Sequence, residues 1–261
     1  MRWSFILIST LHIGLTSFVK AQSEIPELVT DRPDQTEAST VVPHKFLQIE
    51  TGFVILNNET DSVRRKIFSY NTTLLRYGLF DNLELRLGLD YLGEKVKVKN
   101  RDTSSIHSGF SPLYAGFKVK IADEDRWKPE IAFLGAVVLP FTAGEDFKPD
   151  HTGSILRFAF SHTLSERFSI GYNIGAIWSG LSSAPIFLYS ISLGAGIADR
   201  LGCFFESYGY LPEEGEAEHL LDAGFTYLLF DNFQLDISGG IGLKKRIDNF
   251  ISLGLTYRLP D

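Results

Sequence analysis

Residues 82–91 read NLELRLGLDY. Leu83, Leu85, Leu87, Leu89 and Tyr91 fall on one phase of a two-residue period, and Glu84, Arg86, Gly88 and Asp90 fall on the other. Strand side chains alternate between faces, so this stretch predicts a strand with one apolar and one charged face. The pattern recurs along the chain. In 113–121, Leu113, Ala115, Phe117, Val119 and Ile121 oppose Lys118 and Lys120. In 168–178, Phe168, Ile170, Tyr172, Ile174, Ala176 and Trp178 oppose Ser169, Asn173 and two glycines. Segments 155–164, 187–197, 233–241 and 251–259 alternate in the same way. With the less regular stretches included, about twelve strands are expected. They fall at 45–57, 65–79, 82–99, 111–122, 128–141, 153–164, 167–180, 186–199, 200–211, 218–230, 233–243 and 248–259. Segment 128–141 is ambiguous, because Ile131, Ala132, Phe133 and Leu134 are apolar on both phases. No segment carries a helical 3.6-residue period.

The connections alternate too. Phe80-Asp81, Asp123–Trp127, Ser165-Glu166, Asp199-Arg200 and Asp231-Asn232 are short. Asn58–Arg64, Asn100–Phe110, Thr142–Thr152, Leu181–Pro185, Pro212–Ala217 and Lys244–Ile247 are mostly longer and more polar. The tetrapeptide Leu-Phe-Asp-Asn occurs at 79–82 and again at 229–232, both times at a short link. Tight turns at one rim and loops at the other are the pattern of a transmembrane β-barrel. The fold class expected is therefore all-β, a closed antiparallel up-and-down barrel of about twelve strands with an extended N-terminal arm. A soluble sandwich or lipocalin-like barrel would have to bury the charged phase or expose the aromatic one. A wet or salt-bridged lumen and a lipid exterior remove that conflict, and closure leaves no strand edge in hydrocarbon.

The 261 residues include 25 Lys+Arg, 32 Asp+Glu and a single Cys. Cys203 has no partner, which excludes a disulfide scaffold and a multi-cysteine metal centre. The acidic balance argues against a nucleic-acid partner. Residues 1–21 combine Arg2, an apolar run over 3–19 and small residues at Val19 and Ala21. They read as a secretory signal peptide, with a retained anchor helix as the rival. Its removal leaves 23 basic residues against 32 acidic, a formal charge of −9. Residues 22–44 hold three prolines and five acids without apolar periodicity, and read as an extended arm. Residues 45–261 form the barrel.

Thr30-Asp31-Arg32-Pro33-Asp34-Gln35-Thr36-Glu37-Ala38, Val42-Pro43 and Gln48-Ile49-Glu50-Thr51-Gly52 resemble the start of outer-membrane proteins in the "putative meta-pathway of phenol degradation" family. Leu74–Leu79 and Leu83–Arg86 are similar to that family's second and third strands. The resemblance implies an outer-membrane channel or transporter, with aromatic or other hydrophobic compounds among its solutes. It brings no catalytic residues. The chain departs from many outer-membrane barrels in ending Tyr257-Arg258-Leu259-Pro260-Asp261, where those end on an aromatic residue read by the assembly machinery.

The candidate lumen-lining charges are Arg76, Glu84, Arg86, Asp90, Lys118, Lys120, Arg157, Glu206, Asp222, Asp236 and Arg258. They make either a selective constriction or a ladder of ion pairs that fixes register, and the near balance of signs favours pairing. In the arm, Asp31, Arg32, Asp34 and Glu37 either enter the barrel as a plug or belong to a periplasmic tail. Catalysis at a barrel rim requires a Ser and a His on one face. His44, His107, His151, His162 and His219 offer no such pair, and Glu145, Asp146 and Asp150 read as soluble loop acids. Cys203 reads as a small outward apolar residue. No enzyme, cofactor or metal is expected. The expected partners are the lipid bilayer, a small-molecule solute and the outer-membrane assembly machinery, with the chain a monomer in the bacterial outer membrane. The function expected is passive diffusion of small, hydrophobic or aromatic solutes. The alternatives are a plugged structural or adhesive barrel and a barrel hydrolase.

Overall fold

The computed structural model describes residues 26–99, 104–243 and 247–259. The signal-peptide reading of 1–21 and the Pro260-Asp261 terminus lie outside the described residues. The strands are β1 (Leu47–Glu59), β2 (Val63–Phe80), β3 (Leu83–Val98), β4 (Ser104–Phe110), β5 (Leu113–Ala122), β6 (Glu130–Leu139) and β7 (Gly153–Thr163). There follow β8 (Phe168–Trp178), β9 (Ile186–Ala198), β10 (Leu201–Pro212), β11 (Glu218–Phe230), β12 (Phe233–Gly242) and β13 (Ile247–Leu259). Each pairs antiparallel with its neighbours in one sheet, and β1 pairs with both β2 and β13, so the ring closes. The closing seam runs in unbroken register from Leu47↔Leu259 to Glu59↔Ile247.

Thirteen strands occupy twelve positions, because β4 and β5 both lie against β3. The sequence reading assigned 100–110 to a loop. Instead, 104–110 continues the line of β5 up the same neighbour, with a break at Ser111-Pro112. Pro112 lacks the N–H a ladder needs. Ser111 bridges the gap, its N–H donating to the Asp90 carbonyl (2.8 Å) and its Oγ accepting from the Asp90 N–H (3.0 Å). The two Leu-Phe-Asp-Asn copies fold alike. Each closes a two-residue turn, Phe80↔Leu83 or Phe230↔Phe233, and each carries a register shift one residue earlier, at Leu79 and Leu229. A bulge of this kind increases local twist beside a tight turn.

The phases sort as the alternation requires. Arg76, Glu84, Lys118 and Glu206 point inward and are at most 1% exposed. Leu85, Phe158, Ile174, Ile191, Phe205 and Leu253 point outward and are 41–57% exposed. Apolar side chains left bare around the whole ring exceed what a soluble monomer tolerates, and form the lipid-facing band of a membrane barrel. In the ambiguous segment, Ala132 and Leu134 are the inward phase and are buried (0% and 2%), while Phe133 packs outside, tilted between Phe117 and Phe158. Among the described residues no helix is long and apolar enough to cross a membrane.

Candidate functional site

Register places four neighbouring strands at one depth near the short-turn rim. Gln48 on β1 opposes Arg76 on β2, Arg76 opposes Arg86 on β3, and Glu84 on β3 opposes Lys118 on β5. Two guanidinium groups directly across a strand pair repel. Carboxylates between them remove the penalty. Arg76 donates to Glu84 Oε1 and Oε2 (both 2.9 Å) and to Glu50 Oε1 (2.8 Å), and Arg86 donates to Glu84 Oε1 (2.7 Å). This part is the wall-to-wall pairing expected from the charge pattern.

Elsewhere the wall charges meet the arm instead of one another. Residues 26–44 run inside the ring of inward side chains and touch almost every strand. Asp31 is the central contact. Its Oδ2 accepts from Arg86 Nη1 (2.6 Å) and lies 3.1 Å from Arg76 Nη1, and its Oδ1 accepts from Lys118 Nζ (2.9 Å). Glu37 accepts from Arg86 Nη2 (2.8 Å) and lies 3.5 Å from Lys118 Nζ. Arg32 turns to the adjoining wall across the closing seam, donating to both Asp236 oxygens (3.2 and 2.9 Å), Thr72 Oγ1 (3.0 Å) and Ser252 Oγ (2.9 Å). Its guanidinium lies flat over Gly52 and Gly254, which face each other across the closing seam. A Cβ on either would overlap it, which explains glycine at these inward positions.

Main-chain groups of the arm are held the same way. The Gln35 N–H donates to Glu206 (2.7 Å) and the Glu37 N–H to Asn173 Oδ1 (2.7 Å). Thr36 Oγ1 bonds Glu206 and Ser190, and Ser39 Oγ donates to Glu130 (2.6 Å). Arg157 donates to the Gln35 carbonyl (3.1 Å), and Arg258 to the carbonyls of Glu27 (2.8 Å) and Pro26. The Val42 N–H donates to Glu84 Oε2 (2.7 Å).

Two candidates stand apart. Lys120 shares the inward phase, but its ammonium reaches the short-turn rim and Asp123 (2.6 Å). Asp90 lies at the Ser111-Pro112 break and lines a cavity of about 440 Å³ with Asp31, Arg32, Thr72 and Tyr114. A second cavity, of about 340 Å³, is lined by Arg32, Asp34, Leu56, Tyr208, Tyr210 and Phe250. Both lie on the loop side of the arm, with Arg32 between them.

Two neighbouring carboxyls of the arm, Asp31 and Asp34, differ electrostatically. Burial pushes the Asp31 carboxyl up, yet Arg76, Lys118 and Arg86 together hold it well below the usual carboxylate range. Asp34 is also buried and faces Glu206, so it is pushed well above that range, with a bond from Ser192 opposing the shift. Asp222 opposes Glu206 across β10 and β11.

Several partners escaped the sequence reading. Gln48 and Glu50 are each 1% exposed and belong to the ion cluster, although they alternate with Leu47 and Ile49 in the same two-residue pattern. Glu130, Asn173 and Ser190 carry the right phase, but nothing local marks them as partners of a segment far away in the chain.

The family described as "Putative MetA-pathway of phenol degradation" matches residues 30–259. The chain belongs to this family. No curated protein matches it significantly. The family member is similar in fold to an outer membrane channel from Pseudomonas putida F1, at 15% identity and TM-score 0.64, covering 85% of this chain and 98% of that one. It is also similar to the translocator domain of the autotransporter NalP from Neisseria meningitidis, at 11% identity and TM-score 0.55, covering 84% and 90%. The β domain of the Bordetella autotransporter BrkA matches at 11% identity and TM-score 0.54, covering 83% and 100%. The shared architecture is the closed outer-membrane β-barrel, and this chain is an outer-membrane barrel protein.

Proposed function

We propose that the barrel is a channel for small solutes, hydrophobic or aromatic ones among them, which cross passively once the arm gives way. The arm acts as a gate seated in the lumen. The observation that carries this reading is the Asp31 cluster. A segment from outside the barrel supplies the carboxylate that touches three buried cations of the wall, so seating the arm and completing the lumen wall are one event. The cavities beside it mix charged groups with Leu56, Tyr208 and Phe250, which suits solutes with an apolar body and a polar edge. Membership of a family described by phenol degradation, and likeness to an outer membrane channel, support the same reading.

The barrel works without catalysis. His162 and His219 face outward to Tyr172 (3.4 Å) and Tyr189 (2.8 Å), and His107 lies 3.1 Å from Asp146, so none of these three is set against a serine nucleophile. It functions as a monomer placed by the outer-membrane assembly machinery. The test is ion conductance of the refolded barrel in a planar bilayer, with and without residues 22–44. Steps in the truncated form alone support the gate. Steps of equal size and frequency in both forms make the arm a tail, and silence in both sinks the aqueous pore and leaves a closed structural barrel.

A further inference from the structure

The chain is acidic, yet one patch of its outer surface is strongly basic. β2 and β3 are the longest strands, at 18 and 16 residues, and they rise past their neighbours at the loop end. Register puts Arg64 opposite Lys97 and Lys66 opposite Lys95. These residues share the outward phase with Glu59 and Phe53 on β1, and Lys99 follows on the same side. Glu59 is the carboxylate on the outward strand phase here among the described residues, with Asp61 exposed at the tip of the β1–β2 turn. Glu59 pairs with Arg64 (2.9 Å) and Lys99 (2.8 Å). Arg65 and Glu94 pair with each other on the inward phase (2.7 Å) and add nothing here. Lys66, Lys95 and Lys97 have no carboxylate partner among the described residues.

Directly beneath the lysines lies an aromatic cluster on the same face. Phe53, Phe68 and Tyr91 surround Tyr70 at 6.0–6.2 Å between ring centroids, and Phe110 meets Tyr91 at 5.1 Å. The Lys66 ammonium stands 5.0 Å over the Phe68 ring. Aromatic belts mark the height of the membrane–water interface, so the cations stand at headgroup level, on the loop rim. Opposed like charges cost stability on a bare strand pair, and an anion between them turns that cost into attraction.

We propose that the outward loop-end face of β2 and β3 binds the phosphate groups of a phosphorylated glycolipid in the outer leaflet. Lys66, Lys95 and Lys97 contact phosphate, and Phe68, Tyr70 and Tyr91 pack against the upper acyl chains. Basic clusters beside a membrane interface hold anionic headgroups by this chemistry. The site lies outside the lumen and is independent of solute passage.

The full chain is reconstituted in phosphatidylcholine nanodiscs doped with bis-phosphorylated or dephosphorylated lipid A, and retained lipid is counted by native mass spectrometry. Wild type retains the phosphorylated form at least ten-fold more than the dephosphorylated form. K66Q/K95Q/K97Q loses that preference, while K45Q/K128Q/R167Q, with the same charge removed at the short-turn rim, keeps it. Heat-modifiable gel mobility confirms that each variant is folded. Equal retention of both lipids by wild type, an undiminished preference in K66Q/K95Q/K97Q, or an equal loss in the control variant overturns the proposal. Displacement of the lipid by inorganic phosphate also overturns it, by making the patch a free-phosphate site.

Discussion

Asp31→Asn removes one charge at nearly constant volume from the centre of the lumen. The carboxylate lies 2.6 Å from Arg86, 3.1 Å from Arg76 and 2.9 Å from Lys118, all three of them buried. Without it, Arg76 and Arg86 keep Glu84 between them, and Arg76 keeps Glu50. Lys118 fares worse. Its remaining carboxylates are Glu37 at 3.5 Å and Glu84 at 3.9 Å, beyond a good charge-assisted bond. Stripping a partner from a buried ion pair costs about 3–5 kcal/mol. The low end is a lower bound, because an amide oxygen that keeps the Ala38 N–H turns the amide NH2 toward Arg86 and Arg76, donor against donor. About 3 kcal/mol shifts the seated-to-released ratio of the arm by roughly 100-fold. Hydrogen exchange reads this directly. The N–H groups of residue 31, Gln35, Glu37, Ala38 and Val42 all donate to side chains across the lumen or within the arm. Protection at these amides falls at least about 100-fold in the variant, while the strands keep theirs. Unchanged protection would refute the clamp. An equal loss in the strands would show that the arm is not a separable unit.

Gly254→Val places a side chain where the Arg32 guanidinium lies, and overpacking of this kind costs about 1–3 kcal/mol. Its expected readout is more frequent conductance steps with the barrel still heat-modifiable; a silent variant argues against Arg32 as an anchor. Two neighbouring carboxyls of the arm, Asp31 and Asp34, respond oppositely to pH. Asp34 is raised, so its contribution is complete below the ordinary carboxylate range and is lost as pH climbs through the raised value. Asp31 is depressed, so its contribution holds above that range and fails only in strong acid. Exchange corrected for intrinsic rate therefore rises with pH at Gln35 while Ala38 keeps its protection and loses it only in strong acid, and a loss at Ala38 with rising pH contradicts the assignment. Leu253→Arg, on the lipid face near mid-strand, destabilises the barrel by about 2–4 kcal/mol in a bilayer, measured by urea titration in vesicles. A neutral result would place that face in water.

Local chemistry was enough to specify the barrel. A two-residue period needs no distant partner to be read, because backbone geometry alone sends Leu85 and Arg86 to opposite faces. The short links and the repeated Leu-Phe-Asp-Asn turn then set which ends lie together. The family followed from the opening motif for the same reason, since its residues are adjacent in the chain. What the period left undecided was the partner of each inward charge. Arg86 and Glu84 are neighbours, but Asp31 reaches Arg86 across 55 residues and Arg32 reaches Asp236 across 204. Those pairings exist only once the ring has closed around the arm. The Ser111-Pro112 break shows the same division. Pro112 is visible in the sequence as a residue that cannot donate, yet only the unbroken run of β3 beside it holds 104–110 in line with β5 as strand and not loop. Alternation is a property of one strand, whereas the contents of a lumen depend on what every strand and the arm place there together.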